Sequence, residues 1–252
     1  MAVVLEGGCR VSTMHEGDPR VHGSLTIWNQ ISKASGAKAI SLRLLEFGPG
    51  TSPPLRNQTC DEVFYLLDGS CSAVIDGVAY QLGPETGVYL RPGQTLSVQN
   101  AGPDVVRFVS SQCPEEGSEE IGSLDQPPKS DLPPIVKLSD RRALPTADRW
   151  YRVLVDDEIG SEQVTQFVGS IPPGRAPDHF HEYEEVLFIL RGEGRMWAGE
   201  TNTPIGPGSC IYLPRGQVHC VENTGSGELR LLGVFYPAGS PAVRYETADE
   251  RE

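Results

Sequence analysis

"GPETGVYLRPGQTLSVQNAG" (residues 83–102) returns 123 positions later as "GPGSCIYLPRGQVHCVENTG" (206–225). The same offset lays "EVFYLLDG" (62–69) on "EVLFILRG" (185–192) and Pro114 on Pro237, with no gap from Glu62 to Gly117. Gly69 meets Gly192, Gly83 meets Gly206, Gly93 meets Gly216 and Asn100 meets Asn223. Glycines kept at fixed spacing mark shared tight turns. The chain therefore contains two copies of one fold.

Each copy reads as β. Short runs rich in Val, Tyr, Ile and Leu are punctuated by turn signals such as "DG", and no long stretch has helical period. The fold class is all-β, an antiparallel sandwich or barrel per copy. Between the copies, "PEEGSEEIGSLDQPPKSDLPP" (114–134) is acidic and rich in Pro, Gly and Ser, and reads as a linker. The expected boundaries are 1–113 for the first barrel, 114–134 for the linker and 135–252 for the second barrel. The end "ETADERE" (246–252) reads as a solvated tail.

Bulk composition narrows the partners. Of 252 residues, 21 are Lys or Arg and 34 are Asp or Glu, a formal net charge of −13. That balance lacks the basic footprint of a nucleic-acid binder and disfavours an anionic membrane surface. No apolar run reaches the roughly 18 residues of a membrane helix, and "MAVVLEGGCRV" lacks the basic start of a signal peptide. The six cysteines have no close pairing, so reduced thiols in a cytoplasm are expected.

"PDHFHEYEE" (177–185) carries the chemistry. On a strand, His179 and His181 project to one face, Glu185 follows with the same parity, and His219 lies behind the turn "LPRG". Three of the chain's five histidines fall here; His15 and His22 lie in the N-terminal segment. Three imidazoles and one carboxylate suit a divalent transition ion (Fe, with Mn, Ni, Zn or Cu as alternatives). A six-coordinate ion would keep positions open for substrate, unlike a closed structural site. Phe180 and Glu182 are expected to face outward. Arg195 and Trp197 share a parity that places them on one wall of the pocket. Glu184 is a candidate acid or base, or a solvated turn residue. Gln166, Arg152 and Tyr212 are weaker candidates, and Cys220 should point away.

Gly174, His179, His181, Glu185 and Gly192 resemble the first cupin motif; Gly208, Pro214, Gly216, His219 and Asn223 resemble the second. The resemblance covers most of 150–240 and, through the repeat, about 27–117. It implies a bicupin: two tandem jelly-roll barrels, with the metal inside the second one. His179, His181, Glu185 and His219 would be its ligands and Asn223 a turn residue.

The first copy has lost the donors. Arg56 replaces His179, Gln58 replaces His181 and Leu96 replaces His219; only Glu62 keeps its type. A guanidinium repels a cation and leucine offers no lone pair. Arg56 and Glu62 are candidates for an internal ion pair, and the half reads as a support for its partner.

The resemblance leaves the reaction open. The first reading is a metal-dependent, dioxygenase-type oxidoreductase on a small molecule, with Glu185 as ligand and proton acceptor. A non-redox isomerase, decarboxylase or lyase is the second, and a small-molecule-binding or structural cupin the third. A monomer or a homodimer is expected.

Overall fold

The computed structural model describes residues 1–115, 119–121, 132–146 and 148–242. Most of the expected linker and all of the expected tail lie outside these. Among the described residues there is no α-helix, only strands and four single 3-10 turns. Among the described residues no helix is long and apolar enough to cross a membrane.

The 123-residue repeat is realised strand by strand. Asp61–Asp68 corresponds to Glu184–Arg191, Cys71–Ile75 to Gly194–Ala198, Val78–Leu82 to Thr201–Ile205, Thr86–Leu90 to Ser209–Leu213, and Val106–Cys113 to Leu229–Tyr236. In the first barrel the larger sheet runs Ile135–Lys137, Thr86–Leu90, Asp61–Asp68, Val106–Cys113, Leu42–Phe47, Leu25–Ile31, Arg20–His22. The facing sheet is built around Cys71–Ile75 and Thr95–Asn100. In the second barrel the larger sheet includes Ser209–Leu213, Glu184–Arg191, Leu229–Tyr236, Thr165–Ile171 and Arg149–Val155. Gly174–Arg175, His219–Asn223, Gly194–Ala198 and Thr201–Ile205 face it.

Strand membership crosses both expected boundaries. Arg10–Thr13, at the start of the expected first barrel, pairs with Ser209–Leu213 of the second. Ile135–Lys137, at the start of the expected second barrel, pairs with Thr86–Leu90 of the first. Ser209–Leu213 and Thr86–Leu90 are repeat equivalents, so the exchange is reciprocal. Each added strand covers backbone N–H and C=O groups that would otherwise form an open sheet edge. The described parts of the expected linker are also engaged: Glu119–Ile121 pairs with Leu55–Asn57, and Glu115 accepts from the Lys33 amide at 2.7 Å.

Three apolar clusters follow. One fills the first barrel around Leu25, Phe47, Phe64 and Phe108. One fills the second around Phe167, Leu187, Met196 and Phe235, with Leu5, Cys9 and Val11 from the N-terminal segment. The third lies between the barrels and draws Leu42, Tyr65 and Val109 from one half and Val168, Phe188 and Leu232 from the other. Strand alternation explains the division: successive side chains of one strand serve the barrel interior and the inter-barrel seam in turn.

The conserved turn signal has a common cause. Asn100 donates to the carbonyls of Phe47 (3.0 Å) and Asp104 (2.7 Å) and accepts from the Gly102 amide. Asn223 donates to Ile171 (2.8 Å) and Gly227 (2.7 Å) and accepts from Gly225. Since Phe47 is thereby matched to Ile171, the offset is 124 in this upstream strand. The strand before it agrees, because its register shifts fall at Asn29/Ile31 and at Val153/Val155.

Candidate metal centre

His179 and His219 are brought face to face by the backbone. They form an antiparallel bridge, His179 N–H to His219 O at 3.0 Å and His219 N–H to His179 O at 2.8 Å. His181 is pinned two residues on, where its carbonyl accepts from the Gly216 amide at 2.8 Å. The glycine turn "RG" of the sequence thus closes on the histidine strand. The three imidazoles present ligand atoms that all lie within 4.8 Å of one another. Glu185, at the start of strand Glu184–Arg191, places Oε2 3.6 Å from His219 Nε2 and 3.9 Å from His181 Nε2.

Two rings are oriented by the main chain. His219 Nδ1 lies 2.8 Å from the Gln217 carbonyl and His179 Nδ1 lies 3.2 Å from the Pro177 carbonyl. A carbonyl only accepts, so each Nδ1 carries the proton and each Nε2 keeps its lone pair. Backbone orientation of this kind is what metal-ligating histidines use. The third ring stacks on Tyr183, centroids 4.9 Å apart and planes 13° apart; Tyr183 packs on Phe235 in turn. The Tyr183 hydroxyl donates to the Ser240 carbonyl at 3.0 Å. Gly239 makes this closure feasible, since a Cβ there would sit 2.3 Å from the Tyr183 ring.

The electrostatics fit a cation. Burial, and then the neighbouring His179, hold His219 well below its ordinary value, so it is neutral and able to ligate. Burial pushes the Glu185 carboxyl up to about 8. Its Oε2 is buried with no hydrogen-bond partner among the described residues. The histidine nitrogens at 3.6 and 3.9 Å are too far for hydrogen bonds but well placed to share an ion. A buried carboxylate left in this state is costly unless a positive charge completes it. The residues present therefore suit a divalent metal.

The site opens into a cavity of about 90 Å3. Its walls are largely apolar, with Phe167, Ile171, Leu187, Val221, Leu231 and Phe235 among them. At roughly 10–15 Å3 per water, the cavity has room for several waters or one small molecule beside an ion.

Several expected neighbours lie elsewhere. Gly194, Met196 and Ala198 take the inward positions of their strand, so Arg195 and Trp197 point outward. Arg195 binds Asn202, while Trp197 donates to Glu222 at 2.8 Å and lies under the Arg175 guanidinium. Glu184 is neither an acid–base group of the cavity nor a turn residue. It is buried on the opposite face of the strand from Glu185, accepting from the Lys38 and Ala39 amides (2.8 and 2.7 Å) and from the Tyr212 hydroxyl. Arg152 donates to the Leu138 carbonyl, and Gln166 faces Gly87 across the inter-barrel seam. Cys220 points away as expected, its sulfur 3.3 Å from Arg175 Nε. Glu182 is exposed as expected. Arg149 and Tyr151 line the cavity without having been singled out in the sequence; no motif contains them.

In the first barrel Glu62 pairs with Arg43, not Arg56. Arg43 and Asn57 hold the two Glu62 oxygens, and Gln112 bridges Asn57 at 2.7 Å. Arg56 instead donates to the Gly93 carbonyl at 3.0 Å. Leu96 is buried in the barrel's apolar core.

Comparison with known proteins agrees with this architecture. The cupin domain profile matches residues 167–235. An oxalate-binding protein of Thermotoga maritima is 38% identical over 67 residues, 26% of this chain and 55% of that one. Auxin-binding protein 1 of Arabidopsis thaliana is 32% identical over 86 residues, 30% of this chain and 43% of that one. The chain thus spans about half the length of these relatives. Among solved structures, oxalate decarboxylase from Bacillus subtilis superposes with a TM-score of 0.73 at 15% identity, covering 90% of this chain and 75% of that one. The chain thus carries a cupin domain over residues 167–235, and its two jelly-roll barrels, related by an internal repeat, give it the fold of a bicupin.

Proposed function

We propose that the second barrel is the active site of a metal-dependent enzyme that acts on a small, oxygen-rich substrate by carbon–carbon bond cleavage of the decarboxylase or lyase type. His179, His181, His219 and Glu185 would hold the ion. This three-nitrogen, one-oxygen set accepts Mn, Fe, Ni, Zn or Cu. When bound, the ion would polarise a substrate oxygen and stabilise the negative charge that develops as the bond breaks.

One observation carries the reading: three histidines and one uncompensated buried carboxylate converge at the floor of a small apolar cavity. The walls exclude water and strengthen every charge interaction inside. Main-chain carbonyls fix the ring orientations of His179 and His219 before any substrate arrives. The cavity size favours a compact acid over an extended aromatic chelator. The fold likeness to oxalate decarboxylase, a protein with Mn(II) centres, supports the same direction.

The test is turnover of a panel of small dicarboxylates and oxo acids by metal-loaded protein, with carbon dioxide release and oxygen uptake followed together. Release without stoichiometric oxygen uptake, abolished in a folded His219→Ala variant, is the expected result. Stoichiometric oxygen consumption would turn the reading to a dioxygenase. Metal binding without turnover of any panel member would favour a binding protein.

A further inference from the structure

The two barrels provide an internal comparison of what lines each interior. With the 124-residue offset of the upstream strands, Leu25 corresponds to Arg149, Ile27 to Tyr151 and Leu45 to Gly169. In the first barrel all three are fully or almost fully buried in the core cluster. In the second barrel Arg149, Tyr151 and Gly169 line the cavity that also contains the three histidines and Glu185. Replacing leucine by glycine removes a side chain's worth of packing, and this helps to open the space. Replacing the other leucine by arginine places a positive charge at its wall.

Arg149 is the only Lys or Arg among the described residues lining that cavity. It shares its strand face with Tyr151, which belongs to the barrel's interior cluster, so strand parity directs it inward. Its side chain is 13% exposed. Its Nε donates to Asp148, a sequence neighbour whose own side chain is 64% exposed, at 3.0 Å. Among the described residues neither Nη makes a hydrogen bond. A simple surface pair with Asp148 would not require an inward position that the sister barrel fills with leucine. A guanidinium at the wall of a largely apolar cavity is a matched receptor for a carboxylate, which it binds through two parallel N–H donors.

We propose that Arg149 is the specificity-determining residue of the second barrel, receiving a carboxylate of the substrate while another oxygen-bearing group of the same molecule meets the metal. The substrate class is then a small carboxylate with a second oxygen donor. The proposal rests on the metal-site reading above. Arg149 acts on substrate binding, not on the ion, and that separates it from the histidines.

The experiment uses full-length protein loaded with Co(II), whose visible bands report the coordination sphere. Oxalate and malonate are titrated as probes with a second charged end. Acetohydroxamate is titrated as a chelator that brings none. In the Arg149→Leu variant, which copies the first barrel, the dicarboxylate affinities should fall about 10- to 100-fold, as expected for loss of a charged hydrogen-bonding partner. The cobalt bands and the acetohydroxamate affinity should stay within about twofold, and Arg149→Lys should recover part of the loss. Unchanged dicarboxylate affinity in Arg149→Leu overturns the proposal. So does an equal loss for acetohydroxamate, or a wild-type protein that takes acetohydroxamate but neither dicarboxylate. Absence of cobalt bands in the wild type overturns the metal-site reading itself, and this one with it.

Discussion

Arg43 grips Glu62 inside the first barrel, with the arginine side chain 3% exposed and the glutamate fully buried. Glu62 is the repeat equivalent of Glu185, and the position of Arg43 in the second barrel is held by Phe167. One barrel satisfies its buried carboxylate with an internal guanidinium. The other leaves it for an ion.

This arrangement predicts a strong asymmetry on mutation. Arg43→Leu should destabilise the protein by about 3–5 kcal/mol, because it strands a buried charge. Adding Glu62→Leu should return most of that loss. Urea unfolding of the two single variants and the double variant measures the coupling, and metal analysis of the wild type should give one ion per chain.

The metal-free second barrel should be sensitive to pH. Burial raises the Glu185 carboxyl from its ordinary 4.5 to about 8. A carboxyl whose folded value is raised favours the folded state when protonated, so its contribution is present below about 4.5 and is lost as pH climbs to about 8. Thermal unfolding of metal-free protein should show Tm falling across that window and levelling above it. Loading the ion should flatten the profile, and proton release on metal addition at pH 7 should be measurable.

Removing a ligand should separate binding from folding. His219→Ala should lower metal affinity by more than the ~10–100-fold that loss of an outer-shell partner costs. The far-ultraviolet spectrum should remain that of a β protein, because the first barrel stands without any of the three histidines. Equilibrium dialysis against a competing chelator checks the affinity.

The paired turns make a control for the repeat. Asn100→Ala and Asn223→Ala each remove two donated bonds and one accepted bond with the same geometry. Each should cost about 1–3 kcal/mol. If denaturation gave one a large effect and the other none, the two turns would not be energetically equivalent.

Much of this was legible in the sequence because motif spacing and glycine turns are local. The gapless alignment from Glu62 to Gly117 found the strands, the three histidines and Glu185, and the loss of donors in the first copy. It missed what depends on pairing between distant segments. Arg43 and Arg149 precede the gapless region, where the offset slips to 124, so neither was compared with its true counterpart. Arg195 and Trp197 were misassigned by parity alone; the small residues Gly194 and Ala198, with Met196, take the inside. Glu184 looked like a turn residue beside the ligands, but its role depends on Lys38 and Ala39, about 145 residues earlier.

The exchange of Arg10–Thr13 for Ile135–Lys137 has its own consequence. Removing residues 1–13 should expose the edge of Ser209–Leu213 and take Leu5, Cys9 and Val11 out of the second barrel's core. Self-association, seen by light scattering, is the expected result.

The same exchange also sets an order of events during synthesis. Arg10–Thr13 has its seat in a strand that is made later, in the second barrel. That strand must wait through the making of roughly two hundred residues before Ser209–Leu213 exists to receive it.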